Sequence, residues 1–471
     1  MCKMRNLKLF GLVVASGLVL ASCRKDKKDD GPIIEGPKGE VTLKGDITKN
    51  RTLSADTIYH LSGFVYVKNS VTLTIQPGTL ITSTANPATN DFPTLVISRG
   101  AMIQASGTAQ KPIVFTSGKA AGARAAGDWG GIIILGKAPI NRKGSGSTAT
   151  FNENKIEGGL IATAGGSEYD YYWYGGTDAA DNSGVLKYVR IEYPGVPFSV
   201  DNEINGLTLG GVGSGTTMDH VEIFNSGDDA FEWFGGTVNA KYLIAINSVD
   251  DDFDTDFGFS GKVQFAFNIR NANIADKSGS NGFESDNDGD GSANSPQTKA
   301  MFSNVTVLGP LQTPATTINT YFQNAAQIRR NSSESISNSI FVGFPVGLYI
   351  DDTKGSPTSA NAVAGNLVFK NNIIAGCTTP FKTSAAFDIA TFITGGTNTT
   401  LANVADAGLT DPYATSPKLT LKSSSVALTG AAFAGGYADA YFTQVAYKGA
   451  FDATTDWTSG WANWNPLNTE Y

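Results

Sequence analysis

Two acidic runs carry the chemistry this sequence can do. Asp228, Asp229 and Glu232 recur as Asp250, Asp251 and Asp254, each a step of 22 residues. Phe231 recurs at Phe253, and Phe283-Glu284 continues the pair. If the three phenylalanines turn inward, the alternation of a strand turns Glu232, Asp254 and Glu284 outward, one above another. Neighbouring coils lie about 4.8 Å apart, and like charges at that range repel by roughly 3 kcal/mol at an effective dielectric of about 20. Such a row needs a cation, nearby Lys or Arg, or carboxyl groups that keep their protons. Calcium takes many oxygen ligands in loose geometry and is the expected ion.

A second acidic pattern follows. Asp286-Asn287-Asp288-Gly289-Asp290-Gly291-Ser292 fits Asp-x-Asp-x-Asp-Gly, three carboxylates for one ion and a glycine for the sharp turn. A helix–loop–helix hand needs Glu at the twelfth position, where Gln297 stands. The expectation is a calcium loop without a full hand, with Ser292 and Glu284 as further ligands. A third cluster, Tyr169, Tyr171, Tyr172, Trp173 and Tyr174, suits stacking on sugar rings or anchoring a partner. The plainer expectation is that these rings fold back to cover strands. Asn225, Asn247 and Asn268 are read as a structural amide ladder at one coil corner.

Positioning these groups requires a repeating scaffold. A short apolar strand, an Asn and an acidic turn at a fixed period describe one coil of a solenoid. The same step separates Thr72 from Thr94, Ile75 from Ile97 and Gly78 from Gly100, so that strand–turn–strand units are expected on successive coils. Abundant Gly (54) and a charged fraction of only 17% agree with an all-β chain of many turns. Residues 142–183, 277–299 and 355–365 read as insertions, and 447–471, with Trp457, Trp461 and Trp464, as a C-terminal capping segment. With two histidines and three cysteines there is little material for a His base or a zinc site. The net charge of −8 argues against nucleic acid as a partner.

Residues 1–22 read as an export signal: Lys3, Arg5 and Lys8, then an apolar run, then Leu20-Ala21-Ser22-Cys23. That ending is similar to the lipobox of bacterial lipoproteins, which implies lipidation of Cys23. Residues 23–40 read as a flexible tether, and 41–446 as the solenoid. Lys27-Lys28-Asp29-Asp30 resembles the acidic surface-export signal of lipoproteins in the Bacteroidota, which implies an outer-membrane protein facing the exterior.

The stretches LTIQPGTLI, GDWGGIIILGKAPIN, NEINGLTLGGVGSGT, DDAFEWFGGTVNAKYL and YKGAFDATTDWTSGW resemble a family of secreted proteins and lipoproteins of the Bacteroidota. Its members are right-handed parallel β-helices of the pectin-lyase type. The resemblance runs from about Leu73 to Trp461 and implies fold and location more than activity. Lyases on this scaffold bridge a uronate through a cation and use an Arg or Lys base, for which Lys241, Lys262 and Arg270 are candidates. Gly227-Asp228-Asp229 resembles one polygalacturonase motif, but that family's Gly-His-Gly turn and later Arg-x-Lys have no counterpart here. The sequence therefore implies a lipid-anchored, calcium-stabilised β-helix that binds a glycan or an envelope protein. A calcium-dependent polysaccharide lyase is the alternative.

Overall fold

A computed structural model describes residues 39–84, 92–199 and 202–471. The export signal, Cys23 and nearly all of the expected tether lie outside the described residues. Gly39 and Glu40, placed in the tether, already belong to the first strand, Gly39–Ile47.

Among the described residues twenty-seven strands are joined by one continuous hydrogen-bonded network, and neighbouring strands along it pair in parallel, as in Thr217–Phe224 with Asn239–Ile246 and Phe231–Gly236 with Phe253–Asp256. The chain is a parallel β-helix whose coils build three sheets. The first stacks Thr72–Ile75, Met102–Ser106 and the leading halves of Gly184–Glu192, Thr217–Phe224, Asn239–Ile246 and Lys262–Ile269. The trailing halves of those long strands form the second sheet. The third stacks Thr94–Ile97, Gly131–Leu135, Leu207–Val212, Phe231–Gly236, Phe253–Asp256 and Phe283–Ser285.

The bend between the first and second sheets carries a feature the sequence hides. Tyr188, His220, Tyr242 and Phe265 all take left-handed backbone angles there, with φ between 48° and 61°, and Asn304, Asn338 and Asn371 continue the column. An ordinary side chain in that region costs about 1–2 kcal/mol. The rings offset this by stacking: Tyr188 to His220 and His220 to Tyr242 at 4.3 Å, Tyr242 to Phe265 at 5.2 Å.

Inside the coils Phe231, Phe253 and Phe283 stack as expected, at 5.8 and 5.0 Å between centroids. Two expected registers differ. Leu73 pairs with Ile103, while Leu95 pairs with Val65 and Ile132. The early step of 22 therefore relates strands of different sheets, because one coil holds more than one strand–turn–strand unit. The expected Asn ladder does not form: among the described residues the side chains of Asn225 and Asn247 make no hydrogen bond to each other, and Asn268 leaves the corner to donate to Asp252. The chain between Asn239 and Lys262 is one residue longer than its predecessor, so Ala245 pairs with Asn268 and the corner falls on Arg270. The amide N–H groups of Asn225, Asn247 and Arg270 make the same corner bond, donating to Ile246, Ile269 and Leu308 carbonyls at 2.7–3.0 Å.

The last coil is covered by the short helix Ile389–Gly395, capped by Asp388, whose Ile393 is buried against the core. Residues 447–471, expected to form that cap, instead run back along the side of the stack, because their tryptophans find the stacked rings at the bend. Trp457 meets Tyr242 edge-on at 5.2 Å and Trp461 meets His220 at 5.5 Å. Asn463 N–H donates to Glu222 at 3.0 Å, Arg124 donates to the Pro466 and Thr469 carbonyls, and Tyr471 Oη donates to Glu192 at 2.6 Å.

Candidate cation site

The third sheet and the turn before it gather the acidic residues. Phe231, Phe253 and Phe283 face the core, so the next residue in each strand faces out, and the pairing places Glu232 beside Asp254 and Asp254 beside Glu284. The turns are held by a second ladder. Asp229 Oδ1 accepts the Asp251 amide at 2.7 Å, Asp251 Oδ1 accepts the Asn281 amide at 2.5 Å, and Asn281 Oδ1 accepts the Asn324 amide at 3.0 Å. Each side chain is thus fixed by the backbone of the following coil.

The result is a cleft of about 1300 Å³ whose walls include Asp228, Asp229, Glu232, Asp250, Asp251 and Asp254. Three carboxylate trios each bring ligand oxygens within 4.8 Å of one another: Asp228–Asp229–Asp250, Asp229–Glu232–Asp254 and Asp251–Asp254–Glu284. Asp229, Asp254 and the coil spacing link them into one chain. Asp252 is apart from them, buried in an ion pair with Arg270 at 3.0 Å and accepting from Asn268 at 2.5 Å.

The electrostatics follow from crowding. Burial first, and then neighbouring carboxylates, hold Asp228, Asp229, Glu232, Asp251 and Asp254 well above the usual carboxylate range. Burial raises Asp250 to about 6 and Glu284 to about 7, the latter against the pull of Arg329. Arg329 pairs with Glu284 and, at 2.9 Å, with Asp286. Asp250 Oδ1 and Asp254 Oδ1 are buried and meet no donor among the described residues. Unsatisfied buried carboxylate oxygens are costly. An oxygen-only donor set of this density could hold a metal ion.

Glu157 was not foreseen. It comes from the 142–183 insertion, hydrogen-bonds Glu232, and is raised to about 7, chiefly by burial. Only its position in a long insertion hinted at such a role.

The Asp-x-Asp-x-Asp-Gly segment is arranged differently from its sequence pattern. Asp286 is held by Arg329 and by Arg330, the latter at 2.6 Å. Asp288 accepts from its own turn, the amides of Asp290 and Ser292 at 3.0 Å and the Ser292 hydroxyl. Asp290 is exposed. Among the described residues, Asp286, Asp288 and Asp290 form no group close enough to share an ion. Of the aromatic cluster, Tyr171, Tyr172, Trp173 and Tyr174 are buried against Tyr66, Val96, Ile133 and Leu135 on the outer face of the third sheet. Tyr169 is 38% exposed, with Arg99 over its ring. The plainer expectation describes four of these five residues.

The cations considered as bases stand elsewhere. Lys241 donates to Thr443 at 2.8 Å, Lys262 pairs with Asp439 at 2.6 Å, and Arg270 is buried with Asp252. None of the three lines the cleft.

Comparison with known families finds that residues 45–416 match a family model described as a pectate-lyase-like β-helix domain. Comparison with curated proteins finds no match.

Proposed function

The chain belongs to the pectate-lyase-like β-helix family, and on that premise we propose that its acidic cleft is a calcium-dependent binding site rather than a catalytic one. The observation that carries this reading is the run of overlapping carboxylate trios through Asp229 and Asp254, with Asp254 Oδ1 buried and unpartnered. Carboxylates that repel one another in the empty cleft become mutually supportive around divalent ions, so ion binding and the order of the coils are linked. Bound calcium would supply a positive surface for a carboxylate- or hydroxyl-bearing ligand, a glycan or an acidic segment of an envelope protein.

Half of the cleft's basic side chains are tied up in ion pairs, which favours binding over elimination chemistry there. A lyase needs a basic group free to take a proton beside the ion. Arg329 is committed to Glu284 and Asp286, Arg330 to Asp286 and Lys155 to Glu168; Lys241, Lys262 and Arg270 lie outside the cleft, whereas Lys277 and Arg142 line it without an ion pair among the described residues and are the bases a lyase reading would need. We further propose that the domain is displayed at the outer membrane, facing outward, through a lipid on Cys23; replacing Cys23 by Ser should abolish incorporation of labelled fatty acid.

The test is calorimetric titration of the ion-free protein with calcium, followed by incubation of the loaded protein with polyuronates. Binding that is lost in Asp254→Asn, with no unsaturated product, is the expected result. Calcium-dependent release of unsaturated uronides would replace the binding reading with the lyase one, and absence of calcium binding would sink both.

A further inference from the structure

We propose a second ligand site, a groove for a neutral glycan on the outer face of the second sheet, separate from the acidic cleft. Its floor is a stack of apolar side chains from three successive coils, Phe224, Ile246 and Ile269, in register. Its walls are two aromatic rings brought from distant sequence. Tyr413 is fixed by its hydroxyl donating to the Gly309 carbonyl at 3.0 Å. Trp464, on the returning C-terminal segment, stands edge-on to Phe267 at 6.2 Å and 75°. The groove measures about 370 Å³, within the range of small-molecule sites.

The polar groups specify the ligand's chemistry. The half-buried Asn247 and, at the open rim, the exposed Asn273 and Gln312 line the groove, and their side-chain amides make no hydrogen bond among the described residues. An amide offers both donors and an acceptor, and so matches hydroxyl groups, which need both. The one charged side chain at the groove, Arg270, is buried and neutralised by Asp252 at 3.0 Å. A groove without free charge gives no advantage to an anion, whereas aromatic walls, an apolar floor and amides at the edge suit the apolar faces and rim hydroxyls of a sugar ring. Asn247 sits in the left-handed region with φ 56°, a conformation asparagine tolerates and larger side chains resist.

The experiment uses the full chain in excess chelator, so that the acidic cleft holds no ion. Cellohexaose, xylohexaose and maltohexaose are each titrated against it and compared with a polyuronate hexamer, with tryptophan fluorescence and saturation-transfer NMR as readouts. At least one neutral oligosaccharide is expected to bind in chelator, and Trp464→Ala to weaken it about tenfold or more. Asn247→Gly keeps the backbone conformation while removing the amide, and is expected to weaken binding with an unchanged melting temperature. The proposal is overturned if no neutral oligosaccharide binds, if binding requires calcium or prefers the polyuronate, or if both variants bind as the parent does.

Discussion

Asp254→Asn should change stability in opposite directions with and without calcium. Asp254 belongs to two carboxylate trios, facing Asp229 and Glu232 on one side and Asp251 and Glu284 on the other. A fully ionised pair about 4.8 Å apart repels by roughly 3 kcal/mol at an effective dielectric of about 20. Carboxyl groups whose affinity for protons is raised by crowding shed part of that repulsion, so removing one charge relieves less than the pairwise figure, on the order of 1 kcal/mol. In chelator the variant should therefore melt higher than the parent, by about one degree. In calcium at 100 times the dissociation constant the parent gains about 2.7 kcal/mol from the ion, and a hundredfold loss of affinity forfeits about 2.3 kcal/mol of it, more than the relief of repulsion returns. The variant should then melt lower. The assay is paired thermal unfolding of both proteins in chelator and in calcium. A shift of the same sign and size under both conditions would refute the ion-binding account of the cleft.

Three further outcomes follow from the same structure. Asp250 and Glu284 have folded-state values near 6 and 7, above their ordinary ones of 3.8 and 4.5, so the folded state holds their protons more tightly than the unfolded. Their contribution is complete below about pH 4 and is lost as pH rises through 6 to 7; thermal scans of the ion-free protein should show stability falling over that window, and calcium should abolish the fall. Phe253→Ala removes the middle ring of the buried stack and should cost about 3–5 kcal/mol in denaturant unfolding. Arg270→Ala strands a buried Asp252 and should cost about 3–5 kcal/mol, while Arg270→Met with Asp252→Leu should cost much less.

The parts of the fold and site that were legible in the sequence are those a strict period exposes. Phe231 with Phe253, and Glu232 with Asp254, keep one spacing, and side-chain alternation alone then sorts core from cleft. Legibility fails where a coil changes length. One added residue before Lys262 carries the corner from position 269, a step of 22 beyond Asn247, to Arg270, whereas Asn268, a step of only 21, falls opposite Ala245. It fails again where partners come from other coils. Nothing in Asp-x-Asp-x-Asp-Gly predicts that Arg329 and Arg330 will neutralise its first carboxylate, or that Glu157 will arrive from an insertion to meet Glu232. The ring column at the first bend was invisible for another reason. Tyr188, His220, Tyr242 and Phe265 are not residues that announce left-handed backbone, and only their mutual stacking makes the conformation affordable.

The returning C-terminal segment changes how this molecule can come apart. A bare stack of coils touches only its neighbours, so it can fray from either end one layer at a time. Here Tyr471 grips Glu192 and Pro466 grips Arg124, across 279 and 342 positions of chain. Loosening the early coils thus means releasing residues 463–471 too, and those early layers receive this fastening only once residue 471 has left the ribosome.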